Sequence, residues 1–141
     1  NANVSFTIHG ADDTGEVTID AGAGSDAGKV YESGLNNIAD TETTGGTITV
    51  NATDGIATVS IGGTAYTLAD LNGKFVNTGK GVLTITGVTP ATDGKSAEID
   101  YSYTLSAAQT HVAGNGDNTL TDTIAVAVAG VGGSTGSGNV T

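Results

Sequence analysis

The chain has 141 residues, among them 23 Gly and 24 Thr, one proline, and no Cys, Met or Trp. Fifteen Asp and Glu stand against four Lys and no Arg, giving a formal charge of −11 at pH 7. That balance argues against nucleic acid, because phosphate recognition needs clustered basic side chains. The absence of Cys removes disulfides, thiolate metal sites and cysteine nucleophiles.

Alternation with period two dominates the chain, and no stretch sustains the 3.6-residue period of an amphipathic helix. In chain order the strand candidates are 3–8, 16–19, 47–51, 56–61, 65–68, 81–88, 97–105 and 120–129. The clearest is 97–105, where Ile99, Tyr101, Tyr103 and Leu105 face one way and Glu98, Asp100, Ser102 and Thr104 the other. Asp54-Gly55 reads as a tight hairpin between 47–51 and 56–61, and Gly62-Gly63 as the next reversal. Single helical turns are allowed at 68–71 and 106–111. Two Gly-rich stretches, 21–28 and 130–138, break the rhythm, and the second reads as a linker or long loop. The apolar runs, such as 124–129, are far too short to cross a bilayer, so no membrane insertion is expected.

About eight short strands with antiparallel connections predict an all-β sandwich of about 7–9 strands. The length suits one domain, alone or with an appended strand or linker. No repeat of 20–50 residues is visible, which excludes a solenoid. No leader pattern opens the chain, and Gly138-Asn139-Val140-Thr141 reads as a strand cut short, so the sequence is expected to be a piece of something longer.

Catalytic signatures are thin. Gly132-Gly133-Ser134-Thr135-Gly136 matches the letters of a nucleophile elbow, but that motif needs a strand before it and a helix after it. His9 and His111 have no motif around them and are expected to face solvent. No zinc-protease, Walker or dinucleotide fingerprint occurs. The chain is therefore not expected to be an enzyme. Tyr101 and Tyr103 read as core or rim packing rather than a sugar-stacking platform. The patterns Asn3-Val4-Ser5, Asn51-Ala52-Thr53 and Asn139-Val140-Thr141 match an N-glycosylation sequon, which any Thr-rich chain produces by chance.

Calcium is the stronger expectation, since hard divalent cations take carboxylate, amide and carbonyl oxygens. Most of the eleven Asp fall in turns, where the ordinary reading is an Asx turn former. The densest oxygen supply lies at Asp12-Asp13-Thr14-Gly15-Glu16 and Asn115-Gly116-Asp117-Asn118, neither with EF-hand spacing. Bound cations would also relieve the self-repulsion of −11 on a small domain. The ligand candidates are Asp12, Asp13, Glu32 and Asp117. Residues 113–120 also resemble one turn of the calcium-binding nonapeptide repeat, a motif that works only when stacked.

Several runs, taken in order, resemble a known family. They are Val30-Tyr31-Glu32-Ser33-Gly34-Leu35, Thr44-Gly45-Gly46-Thr47, Ile61-Gly62-Gly63-Thr64-Ala65-Tyr66-Thr67-Leu68, Gly81-Val82-Leu83-Thr84-Ile85-Thr86 and Ile99-Asp100-Tyr101-Ser102-Tyr103-Thr104-Leu105. Together with 117–128 and 137–141 they are similar to the repeat domains of giant type I-secreted, RTX-type bacterial biofilm adhesins. The resemblance covers 30–141. It implies a Greek-key, immunoglobulin-like extender domain, secreted to the bacterial cell surface, stiffened by Ca²⁺ and supporting cell adhesion and biofilm formation. Its partners would be neighbouring repeats of the same chain. The alternative is a module of the same adhesin that itself binds a carbohydrate or protein ligand. Residues 1–29 have no counterpart, and are expected as the end of a neighbouring repeat or an inserted hairpin.

Overall fold

The computed structural model describes residues 4–8, 10, 12–36, 41–111 and 119–141. Among these residues there are nine strands: β1 (Gly15–Asp20), β2 (Thr43–Ala52), β3 (Ile56–Ile61), β4 (Thr64–Tyr66), β5 (Phe75–Asn77), β6 (Gly81–Pro90), β7 (Ser96–Leu105), β8 (Ile124–Gly130) and β9 (Thr135–Val140). One sheet has the order β1-β2-β7-β6-β5 and the other β4-β3-β8-β9, every pairing antiparallel. With β5 set aside as an added edge strand, this is the Greek-key strand order of an immunoglobulin-like β-sandwich.

The alternation read from the sequence is what closes the two layers. On β7 the side chains of Ile99, Tyr101 and Tyr103 turn inward, while Glu98 and Asp100 stay in water. They meet Ile48 and Val50 of β2 and Leu83 and Ile85 of β6, opposed by Val59, Ile61, Val126 and Val128 of the second sheet. Each such aliphatic side chain contributes about 1.5–3 kcal/mol by leaving water. The core is plugged by Leu71, fully buried on a one-turn helix, α1 (Leu68–Leu71). Thr67 caps α1: its Oγ1 accepts from Asp70 N at 3.3 Å and donates to Asp70 Oδ2 at 2.8 Å.

Several sequence expectations change. Asp54-Gly55 makes its turn, with Gly55 at φ +92°, but the turn carries the chain from one sheet to the other instead of closing a hairpin. Turn chemistry fixes the local reversal; which strand then pairs is decided by the apolar faces. Residues 4–8 are not a strand, and 120–123 precede β8 rather than belonging to it. The turn allowed at 106–111 does not form, whereas Glu32–Asn36 make an unforeseen 3₁₀ turn.

The largest correction concerns 130–138. This is no linker: it is the end of β8, a turn, and β9 paired along its length with β8. Its glycines are there for contact. A Cβ on Gly136 would lie 2.5 Å from Glu16 N and Gly15 C, and one on Gly15 would lie 2.5 Å from Thr135 C. Here β1 and β9 cross backbone against backbone and close the edge between the sheets. Glycine in a strand marks such an approach as readily as it marks flexibility. Residues 15–20, left outside the family resemblance, pair with β2 from Gly15↔Ala52 to Asp20↔Thr47.

Candidate cation-binding loops at the two ends of the sandwich

The described ligand candidates lie at opposite ends of β2, whose ten residues span about 30 Å at 3.4 Å per residue. Asp12 and Asp13 lie exposed just before β1, beside the end of β2, where Thr14 N donates to Thr53 Oγ1 at 2.9 Å. Glu32 opens the 3₁₀ turn beside the start of β2, where Tyr31 N donates to Thr41 O at 2.8 Å. The structure therefore does not bring Asp12 and Asp13 together with Glu32. Asp117 lies outside the described residues, as does His9. Among the described residues no three His, Cys, Asp or Glu side chains form a metal-binding group.

At the first end the working carboxylate is Asp54. Ser134 Oγ and the backbone N–H of Gly132 donate to it in short hydrogen bonds, and Ser134 N donates at 3.4 Å. The Ser134 hydroxyl, more than the accompanying backbone donors, holds Asp54 below the ordinary carboxylate range. Thus the serine of the elbow-like pattern is buried in a tight turn between antiparallel strands, with its hydroxyl committed to a carboxylate. One oxygen of Asp13 faces the same turn, 3.2 Å from where a Cβ on Gly132 would sit.

The second end is built differently. Glu32 Oε1 accepts from Gln109 N at 2.5 Å and meets His111 Nε2 at 3.0 Å. The Gln109 amide first, then His111, lowers the Glu32 pKa. Contrary to the solvent-facing expectation, His111 is tied to Glu32, and its Nδ1 is buried without a partner. Two more buried atoms have none: Thr41 Oγ1 and Glu42 Oε2. Both crowd the space beside Gly34, where a Cβ would clash with Glu42 and lie 2.9 Å from Thr41 Oγ1. Buried oxygens without donors are costly, and a hard cation is one remedy. The hydroxyl of Thr41 and the carboxylate of Glu42 are oxygen donors of the kind calcium takes. Neither Thr41 nor Glu42 stands out in the sequence, because Thr-Glu-Thr-Thr reads simply as the start of a strand.

A third acidic residue works structurally. Asp122 Oδ2 accepts from Tyr103 OH at 2.7 Å and from Thr78 Oγ1 in a short bond, and Lys80 Nζ lies 3.7 Å from Oδ1. Burial pulls the Asp122 pKa up, but these hydrogen bonds and the lysine charge bring it net below the usual value. Burial, followed by the bond and charge of Asp122, pushes the Tyr103 phenol up to about 12. The network ties the β5–β6 turn and β7 to the segment entering β8.

No protein-family model matches this chain, and no curated protein or solved structure matches it. Among the described residues no helix is long and apolar enough to cross a membrane.

Proposed function

We propose that this chain is a non-catalytic extender domain of a large secreted bacterial surface adhesin, stiffened by Ca²⁺ and supporting adhesion and biofilm formation. What supports the reading is the placement of the ordered motifs on an immunoglobulin-like sandwich. The Val30–Leu35 run leads into the 3₁₀ turn, Ile61–Leu68 is the β3–β4 hairpin and entry to α1, Gly81–Thr86 lies on β6, and Ile99–Leu105 on β7. These four runs thus fall on successive parts of one sandwich.

The cation is assigned to the corner beside Gly34, because the unpartnered Glu42 Oε2 and Thr41 Oγ1 are there. Ca²⁺ would satisfy these two oxygens at the entry to β2, against the 3₁₀ turn that carries Gly34. Glu32 holds the neighbouring 105–111 segment in place through Gln109 and His111.

A thermal melt in EDTA against millimolar Ca²⁺ tests the proposal. Ligand-linked stabilisation of about 4 kcal/mol at a thousandfold excess over Kd raises the midpoint by roughly 10 °C in a domain of this size. An unchanged midpoint removes the cation from the reading. A glycan array run in both conditions separates the spacer from the ligand-binding alternative, since saturable sugar binding belongs to the latter.

A further inference from the structure

The charge of the chain is divided unequally between the two sheets. On the outer face of β1-β2-β7-β6-β5, Glu16, Asp20, Glu98 and Asp100 stand in water. The strands of the other sheet, β4-β3-β8-β9, carry no Asp, Glu, Lys, Arg or His. On a chain of −11 this leaves one broad sheet face without charge.

The relief of that face is distinctive too. Its side chains form two cross-strand rows, Ser60–Ala127–Ser137 and Thr58–Ala129–Thr135. The alanines of β8 end at Cβ, while the hydroxyl side chains of β3 and β9 stand higher on either side. A trough of about 310 Å³ therefore runs along β8 between two ridges, with no aromatic ring and no charge in its lining. Of the two ridges, Thr135 and Ser137 on β9 are the more exposed.

A ridge beside a trough is self-complementary. About a two-fold axis, the β9 ridge of one copy enters the trough of another, and the second copy's ridge enters the first trough. Electrostatics select the same arrangement. Sheets pack about 10 Å apart, so two copies joined by their uncharged faces hold their acidic faces about 30 Å from each other. That is well beyond the Debye length of about 8 Å at physiological salt. Joined by the other face, two copies would press carboxylate against carboxylate.

We propose that the uncharged face of β3, β8 and β9 is a self-association surface, on which a second copy of this chain docks face to face. Its size sets its strength. Three strands about 4.8 Å apart and about six residues long cover roughly 300 Å² on each copy, less than half of what a standard interface buries per partner. One pair of copies thus dissociates readily. Copies linked in tandem meet their counterparts at high effective concentration, so many weak contacts hold together. The pairwise contact stands apart from the spacer reading, and only its multiplication along tandem copies rests on that reading.

The test is sedimentation equilibrium of the chain in EDTA at up to about 2 mM, with amide NMR shifts followed over the same range. The expected result is a monomer–dimer equilibrium with Kd on the order of 1 mM, and shifts confined to β3, β8 and β9. Ala127→Glu in the trough and Ser137→Glu on the exposed ridge each raise Kd about tenfold or more, with the melting midpoint showing that the fold is kept. Thr18→Glu, which adds the same charge to the opposite sheet, leaves Kd unchanged. A chain that stays monomeric, a dimer that forms only with Ca²⁺, or shifts on the acidic face overturn the proposal. So does saturable glycan binding that displaces the dimer from these residues, which would give the face to the ligand-binding alternative. A monomeric chain whose midpoint still rises with Ca²⁺ removes the docking surface and leaves the spacer reading in place.

Discussion

The two ends of the sandwich hold acidic side chains in opposite conditions. At the Asp54 end, the carboxylate is surrounded by donors from the turn after β8, and the two closing strands touch through Gly15 and Gly136. At the Glu32 end, one carboxylate is spent on a loop amide and an imidazole, while a second, Glu42, buries an oxygen with no donor. An acidic loop is therefore not evidence of a cation by itself. What distinguishes a turn-forming Asp from a ligand is whether the protein already supplies the hydrogen bonds its oxygens require.

The largest effect expected from breaking this contrast is at the closed end. Gly136→Val drives side-chain atoms into the backbone of Gly15 and Glu16. Urea denaturation should show a loss of about 3 kcal/mol or more, or failure to fold, because the obstacle is main chain and cannot rotate away. Gly133→Ala, with nothing within 4 Å of the new methyl group, is the local control; at its φ of +102° the cost is backbone strain alone, about 1–3 kcal/mol.

Next come paired substitutions on the two carboxylates. Asp54→Ala leaves the N–H of Gly132 and the Ser134 hydroxyl without their acceptor. It should lower the melting midpoint by the same amount in EDTA and in Ca²⁺. Glu42→Gln keeps the shape and removes the charge, so it should leave the EDTA midpoint nearly unchanged and abolish most of the Ca²⁺-dependent rise. If the two variants respond alike to calcium, the ends do not differ in the way described.

The smallest effects are in pH. Glu32 and Asp54 both have folded-state pKa values below their ordinary 4.5 and 3.8. Their contribution is complete above those values and is lost as pH falls through the depressed folded values. Asp54→Ala and Glu32→Gln should each flatten the acid limb of a stability–pH curve in EDTA. On the alkaline side the sign reverses. Tyr103 is raised from 10.0 to about 12, so the folded state keeps a proton that the unfolded chain has released, and stability declines as pH rises through that window. Tyr103→Phe should shorten that decline without removing it, because burial and the charge of Asp20 raise Tyr101 too.

The sandwich is legible in the sequence where its physics is local. On 97–105, period two predicts both the strand and its buried face, since a side chain's face depends only on its parity. β5 and β9 escape that reading for opposite reasons. Phe75–Asn77 is three residues long, too short to display a period. Thr135–Val140 shows small residues where a core would put large ones, because another backbone occupies that space. The candidate site is less legible still. Asp54 and Ser134 are 80 positions apart, and nothing near either marks the other as its partner. Glu32 is singled out only through the run it belongs to, and Glu42 only by a buried oxygen that lacks a donor.

The crossing of β1 and β9 bears on a property that melting does not measure. The two strands run side by side in the same sense, Gly15 against Gly136 and Val17 against Gly138. A pull applied at the start of β1 and the end of β9 therefore slides one strand along the other and loads their contacts together, instead of peeling them apart one at a time. That is the geometry in which a modest sandwich resists force best. Glycines that look like slack in the sequence are the surfaces of a mechanical clamp.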